Sequence, residues 1–244
     1  MDKKICAFSQ TYGDDREELY EYLKNDNSSI NFRNSFDLNL YSFHNSSREY
    51  IDRIKKEEYF TKLKNLKLIE FNNIEYTHTL RNVLYGLLDE GYNYIFYLQD
   101  DCFTHESHRD ITDLIDFIKN EDFNMLYLES DGYYINSDTI RFKKDTLTIY
   151  DTTTQDFFKR NGWGMDDGAY IANIKFLLTK VYDEKYFSIG SIQKAEQHLS
   201  SKFSTLNIER LTPNFKLYRR FSIVGPNAHW DESKERQMLI EKFK

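Results

Sequence analysis

The chain has 244 residues, a net charge of −7 and an aromatic content of 16%. This length is enough for one large domain, and so many aromatic residues exclude a disordered or purely solvating chain. Basic residues are dispersed among acidic ones instead of forming a stripe, so the composition argues against nucleic acid as a partner.

Cysteine content and hydropathy indicate the compartment. The two cysteines, Cys6 and Cys102, are too few for a disulfide framework, which favours a reducing environment. The start of the chain, MDKKICAF, lacks the apolar region of a signal peptide. The longest apolar runs have about five residues, against the roughly 20 that cross a bilayer. We therefore expect a cytoplasmic protein with no transmembrane segment.

The first third of the chain predicts alternating strands and helices. Residues 4–9 form a strand candidate, and a helix over about 14–25 follows, for which Asp14 or Asp15 supplies the cap. The pattern then predicts a strand over 37–43, a charged helix over 46–64 and a strand over 66–71.

The clearest helix is predicted over residues 76–90. Gly91 supplies a left-handed stop at its end. Its apolar residues recur at helical spacing, and they are Leu80, Val83, Leu84, Leu87 and Leu88. The sequence YIFYLQDD, at 94–101, follows as a strand buried on both faces. A helix over 107–120 and a strand over 125–128 complete four strand–helix alternations, which predict a parallel, doubly wound half.

The pattern changes after residue 130. Residues 133–151 predict irregular strands or a hairpin, and 162–164 a constrained loop. Short helices are predicted over 174–182 and 194–203, a strand over 217–224 and a polar helix from 231. This half is mixed, without an internal repeat.

Two acids end the YIFYLQDD strand, at the sheet edge where open α/β folds bind ligands. Hard carboxylate oxygens there suit Mg²⁺ or Mn²⁺ carrying a phosphorylated substrate. If the chain stays extended, Gln99 and Asp101 project together and Asp100 projects away, which favours Asp101 as the metal ligand. The alternative for Asp100 is that its carboxylate caps the following turn.

The segment LRNVLYGLLDEGYNYIFYLQDD, from Leu80 to Asp101, resembles glycosyltransferases of the GT-A fold, either family-2-like or with an EDD-type motif. The resemblance implies an α/β, Rossmann-type, mostly parallel sheet flanked by helices in a single domain. Residues 1–130 would bind the nucleotide sugar and 131–244 the acceptor. Gln99 departs from the DxD motif of that family, which removes one charge from the metal site.

The resemblance also implies roles in donor binding. Thr11 and Tyr12, after the first strand, would hold the nucleotide base, although a tyrosine in so aromatic a chain is as often packing. Arg81 would neutralise the diphosphate, against the alternative of a solvated helix arginine. Gln99 and Asp100 would contact the nucleotide sugar.

Three further residues belong to the metal and acceptor sides. His229, in a loop after the last strand, would join Asp101 on the ion. Glu196, near a helix start, is the first candidate for the catalytic base and Asp167 the second. The alternative for Glu196 is that the helix dipole alone favours a glutamate near a helix start. The alternative for Asp167 is an Asp-Gly turn.

These observations predict a metal-dependent, inverting hexosyltransferase. It would use Mn²⁺ or Mg²⁺, a nucleotide-sugar donor and a glycan or other hydroxyl acceptor. A sugar-phosphate nucleotidyltransferase is one alternative, although its usual Gly-rich basic loop is replaced by the acidic SQTYGDD. A catalytically silent carbohydrate-binding module is another, which Gln99 keeps open. Walker, dinucleotide, zinc and serine-hydrolase motifs are absent from the sequence.

Overall fold

A computed structural model describes most of the chain: residues 3–14, 16–71, 75–100, 102–105, 110–128, 139–153, 169–190, 192–206, 208–220 and 241–242. The predicted site residues Asp101, Asp167 and His229, the loop at 162–164 and most of the polar tail lie outside these ranges. Tyr12 and Glu196 are described in backbone only.

The described strands are β1 (Ile5–Tyr12), β2 (Leu38–His44), β3 (Leu66–Phe71), β4 (Tyr94–Tyr97), β5 (Cys102–Thr104), β6 (Met125–Tyr127), β7 (Ile140–Lys144), β8 (Leu147–Thr153), β9 (Tyr170–Asn173), β10 (Glu209–Pro213) and β11 (Tyr218–Arg220). The described helices are α1 (Glu17–Leu23), α2 (Asn27–Arg33), α3 (Arg48–Ile54), α4 (Glu58–Thr61), α5 (Tyr76–Asp89), α6 (Thr112–Asn120), α7 (Ile174–Phe176, continued by a π-helical turn, Leu177–Val181), α8 (Glu184–Phe187) and α9 (Ile192–Thr205).

Nine of these strands form one sheet in the order β3-β2-β1-β4-β9-β6-β10-β8-β7. The first four are mutually parallel, as the alternation of strands and helices predicts. Strand β9 is antiparallel to both β4 and β6, β10 is parallel to β6, and β7 and β8 form a hairpin. Strands β5 and β11 pair separately as an antiparallel ribbon. The predicted α/β class with a mostly parallel core is confirmed.

Helices cover both faces of the parallel strands. Cys6 and Phe8 of β1 join a core cluster that includes α5 and α9 residues, whereas their neighbours Ile5 and Ala7 point to the opposite face, with α2 and α6. A third cluster packs α1, α3 and α4 on β2. Strand β4 is buried at every residue, because both of its faces are covered.

Helix α5 matches its prediction closely. It spans Tyr76–Asp89, and its apolar face is buried in the core. Gly91 follows with φ of +84°, a conformation that residues other than glycine rarely adopt. No helix among the described residues is long and apolar enough to cross a membrane.

Three local predictions need correction. Strand β1 continues to Tyr12, so Thr11 and Tyr12 are its last residues and not part of the following loop. Helix α1 begins at Glu17 with Arg16 as its N-cap and without a side-chain cap. The Asp14 carboxylate instead accepts hydrogen bonds from the backbone N (3.0 Å) and Oγ (2.7 Å) of Ser47, and Asp15 lies outside the described residues. The single helix predicted over 46–64 is two helices, α3 and α4.

Candidate functional site

The candidate site lies where the order of the parallel strands reverses. Strand β1 pairs with β4 only as far as Phe8, opposite Tyr97, but it pairs with β2 as far as Tyr12. The chain leaves β4 through Leu98, whose N–H donates to the carbonyl of Phe8 at 3.0 Å. It then enters the turn that carries Gln99 and Asp100, which we call the acidic turn (residues 98–101). This edge is where open α/β sheets bind ligands.

Asp100 and Thr11 lie on the same side of this edge. Asp100 is only 5% exposed, and its Oδ2 is 4.0 Å from Nε of Arg16, at the start of α1. The Tyr20 hydroxyl donates to Oγ1 of Thr11 at 3.4 Å. Burial, and after it the charge of Asp100, raises the pKa of Tyr20 well above its ordinary value. Asp100 therefore contributes a buried negative charge beside a cation.

The acidic turn is not an extended continuation of β4. The strand ends at Tyr97, and the N–H of Cys102 donates to the carbonyl of Gln99 at 3.2 Å. The extended geometry therefore ends at Tyr97, which removes the basis for predicting that Gln99 and Asp101 project together. Asp101 itself lies outside the described residues. The metal role of Asp101 stays a prediction on other grounds.

Arg81 is buried on the other face of the sheet, in α5, with 4% of its surface exposed. The alternative of a solvated helix arginine is therefore wrong. Its Nη2 donates to the Tyr85 hydroxyl at 2.8 Å, and its guanidinium carbon is 5.3 Å from the ring centroid of Tyr85 and of Phe187. Its Nε and Nη1 have no hydrogen-bond partner in the described part of the chain. Buried, unfilled guanidinium donors suit an anion.

Two residues at this edge were missed by the sequence reasoning. Arg16 sits at the start of α1, and His44 ends β2 opposite Tyr12. Burial lowers the pKa of His44, against the opposing effect of the Glu75 charge. The one available signal was position, because both residues follow the carboxyl end of a predicted parallel strand.

The remaining predicted residues are placed only by their elements. Gln99 is half-buried in the acidic turn, and Glu196 lies in α9 next to the buried Ala195. Among the described residues, no group of three or more acidic, histidine or cysteine side chains could hold a metal. Arg220, the last residue of β11, lies opposite Cys102, so β11 ends beside the acidic turn.

Comparisons with solved structures identify the fold. The chain is similar to S. aureus TarS, with a TM-score of 0.56 and 16% identity over 98% of this chain and 42% of that chain. TarS 1–349 matches with a TM-score of 0.57 at 15% identity, and its complex with UDP with 0.50 at 15%, each over 98% of this chain and 70% of the other. A 4-diphosphocytidyl-2C-methyl-D-erythritol synthase from Anaerococcus prevotii matches with 0.50 at 11% identity over 96% of both chains.

No protein-family model and no curated protein sequence matches the chain. The chain spans less than half the length of the TarS chain, at 42%. Identities this low carry information about the fold alone. In that respect the comparisons agree with the resemblance of the segment around the acidic turn, and the chain has a GT-A-type α/β fold.

Proposed function

We propose that the chain is a metal-dependent glycosyltransferase that moves a hexose from a nucleotide-sugar donor to a hydroxyl acceptor. The observation that carries this proposal is the acidic turn at the reversal point of the sheet, where Asp100 is buried beside Arg16. That edge offers a nucleotide diphosphate both acidic ligands for its metal and a cation.

The UDP-bound structure supports a nucleoside diphosphate as the ligand. TarS 1–349 was solved in complex with UDP, and it shares the fold of this chain at a TM-score of 0.50. In this chain Thr11 and Tyr12 would hold the base at the end of β1. Arg81, with two buried donors that no described residue fills, would bind a diphosphate oxygen.

The donor groups of the acidic turn fit a divalent cation. Carboxylate and amide oxygens are the ligands that Mg²⁺ and Mn²⁺ prefer, and Asp101 would provide the first of them, with Gln99 and Asp100 beside it. His229 would add an imidazole, since the segment that carries it follows β11, which ends beside the turn. When bound, the ion would offset the negative charge that develops on the departing diphosphate.

The acceptor needs a base. Its hydroxyl oxygen attacks the anomeric carbon, the bond from that carbon to the diphosphate oxygen breaks, and the hydroxyl proton passes to a carboxylate. Glu196 of α9 is the first candidate for that carboxylate and Asp167 the second. Attack opposite the leaving group would invert the anomeric configuration.

A sugar-phosphate nucleotidyltransferase is the second candidate function. The erythritol synthase has the same fold at a TM-score of 0.50. Against this candidate, the loop after β1 is acidic at the place where a triphosphate would need basic groups. The Asp14 carboxylate of this loop accepts hydrogen bonds from Ser47. A catalytically silent carbohydrate-binding module is a third candidate, because Gln99 stands where the DxD motif has an acid and so removes one charge from the metal site.

The first prediction tests the donor site by calorimetry with UDP, with and without Mn²⁺. We expect Mn²⁺ to strengthen UDP binding, and Asp101→Ala to abolish that effect without lowering the melting temperature, because a ligand to a metal at a strand end faces the cleft. The control is Asp122→Ala, the same change at a side chain that is 96% exposed and paired with Lys3.

Four outcomes would contradict the assignment of Asp101 or the proposed function. Unchanged Mn²⁺-linked binding in Asp101→Ala, or unfolding of that variant, would remove Asp101 from the site. Absence of metal-linked nucleotide binding in the parent, across UDP, GDP and CDP, would favour the silent module. Release of pyrophosphate from a nucleoside triphosphate, when a sugar phosphate is added as its acceptor, would favour the nucleotidyltransferase.

A further inference from the structure

Asp26 is a buried carboxylate between α1 and α2, and it lies outside every motif of the donor site. It is 1% exposed and accepts hydrogen bonds from the N–H of Ser29 at 3.1 Å, the N–H of Thr104 at 2.8 Å and the hydroxyl of Thr104 at 2.6 Å. Burying a carboxylate is costly unless such donors surround it. These three bonds therefore account for its burial.

Capping α2 explains one of the three bonds. Asp26 is the N-cap of α2 and accepts from Ser29, as ordinary caps do. The cap of α3 shows the usual extent of that role, because Ser47 caps it by accepting from Tyr50 of the same helix. The other two bonds of Asp26 instead reach Thr104, which is 78 residues later in the chain and is the last residue of β5.

Thr104 is close to the acidic turn in sequence and fixes where the turn ends. The turn begins at Leu98, which is held to β1 through Phe8. It ends at β5, whose partner β11 is also tied to α2, because the hydroxyls of Ser29 and Tyr218 are 3.4 Å apart. Both strands of the ribbon are thus anchored on the first turn of α2.

We infer that Asp26 is a positioning residue, which holds Thr104 and thereby sets where the acidic turn presents Asp100 to the metal and the diphosphate. This role rests on the proposed function. Partners that orient metal ligands from the next layer out change metal affinity strongly when they are lost.

The test uses Thr104→Val, which keeps the size of the side chain and the backbone bond to Asp26 but removes the 2.6 Å hydroxyl bond. Thr104→Ser restores a hydroxyl. The control is Tyr94→Phe, at the end of β4 away from the turn. It removes a buried hydroxyl that donates to the carbonyl of Phe123 at 2.8 Å and accepts from the N–H of Phe123 at 3.2 Å. All variants keep the α2 cap intact.

Two quantities are measured on the full chain: UDP affinity in the presence of Mn²⁺, and hydrogen exchange of the backbone amides in peptides covering 98–104. For Thr104→Val we expect UDP affinity to fall by about tenfold or more, with faster exchange in those peptides. Thr104→Ser should recover most of both. Tyr94→Phe should lower the melting temperature and leave both quantities near the parental values.

The outcomes distinguish a failure of the positioning role of Asp26 from a failure of the proposed function. If the parent shows no Mn²⁺-linked UDP binding, the proposed function fails, and exchange alone decides whether Asp26 holds the turn. Parental exchange rates in Thr104→Val would overturn the inference in either case. It would also be overturned if Tyr94→Phe weakened UDP binding as much as Thr104→Val, since general loosening would then suffice.

Discussion

Arg33 and Arg81 are both buried arginines, yet their surroundings assign them different roles. Arg33 is completely buried, and it donates to Oγ of Ser9 at 2.8 Å and to Oδ1 of Asn39 at 3.1 Å while stacking on the Tyr41 ring. It joins α2 to β1 and β2 and is structural. Arg81 keeps two donors without a described partner, which suits a ligand. Sequence alone could not separate the two, because the acceptors of Arg33 come from two different strands.

His44 leads to a prediction about pH. Burial lowers the pKa of His44 in the folded chain, so the folded state binds a proton less readily than the unfolded chain, in which a histidine has a pKa of about 6.5. Its contribution to the free energy of unfolding is therefore fully present above that value and is lost as the pH falls through the folded pKa.

We expect His44→Asn to reduce the loss of stability on acidification. Between pH 7.5 and 5.5, the free energy of unfolding should fall by up to about 1 kcal/mol less in this variant than in the parent. Urea unfolding at the two pH values measures the difference. The exposed His105 provides the control through His105→Asn, which should follow the parent. Equal losses in the parent and His44→Asn would contradict the assignment.

At the scale of elements, α5 was predictable and β9 was not. The apolar spacing of α5 and its glycine stop are local signals, and they gave both ends of the helix to within one residue. Strand β9 has four residues, YIAN, and it exists because β4 and β6 pair with it from both sides. Pairing between distant segments leaves no periodic pattern in so short a sequence.

The two glycines at the end of α5 give matched substitutions with opposite expected effects. An added Cβ would meet nothing within 4 Å at either Gly86 or Gly91, so packing does not distinguish them. Gly86 is helical, and Gly86→Ala should raise the free energy of unfolding by about 0.5–1 kcal/mol. Gly91 has φ of +84°, and Gly91→Ala should lower the free energy of unfolding by about 1 kcal/mol.

Urea unfolding at constant pH measures both variants. An unchanged slope of free energy against urea would indicate that the denatured state is the same in each. If Gly91→Ala were neutral, the left-handed stop would not be needed to end α5. If Gly86→Ala were destabilising, the helix would be strained at that position.

For the whole molecule, the sequence predicted the sheet edge at which the candidate site lies but not how that edge is built. The run of apolar residues before two acids placed a ligand edge at the end of β4, and the strand order confirms that this edge adjoins the reversal point. Arg16 lies beside Asp100 at this edge, and Asp26 holds Thr104, which follows the same turn. Each of them looks like an ordinary surface or strand residue in sequence, since only the folded topology brings them to one turn.

One sheet runs through both halves of the chain, and the proposed function assigns the two halves different roles. Strand β9 of the second half lies between β4 and β6 of the first, so the candidate site and α9 share one framework. Residues of the first half should then govern nucleotide binding, while Glu196 and Asp167 of the second half should govern transfer to the acceptor.

The last prediction tests that division with Glu196→Gln, which keeps the size of the side chain but cannot accept the acceptor's proton. Release of UDP from a panel of UDP-sugars, with glycan acceptors present, should slow by about 10²-fold or more, with Mn²⁺-linked UDP binding nearly unchanged. Gln197→Ala, at an exposed neighbour in α9, is the control. Asp167→Asn should act chiefly on acceptor affinity. If Glu196→Gln is fully active and Asp167→Asn inactive, the two roles are exchanged; full activity in both would place the base elsewhere, because a carboxylate that takes the proton cannot be replaced by an amide without loss of rate.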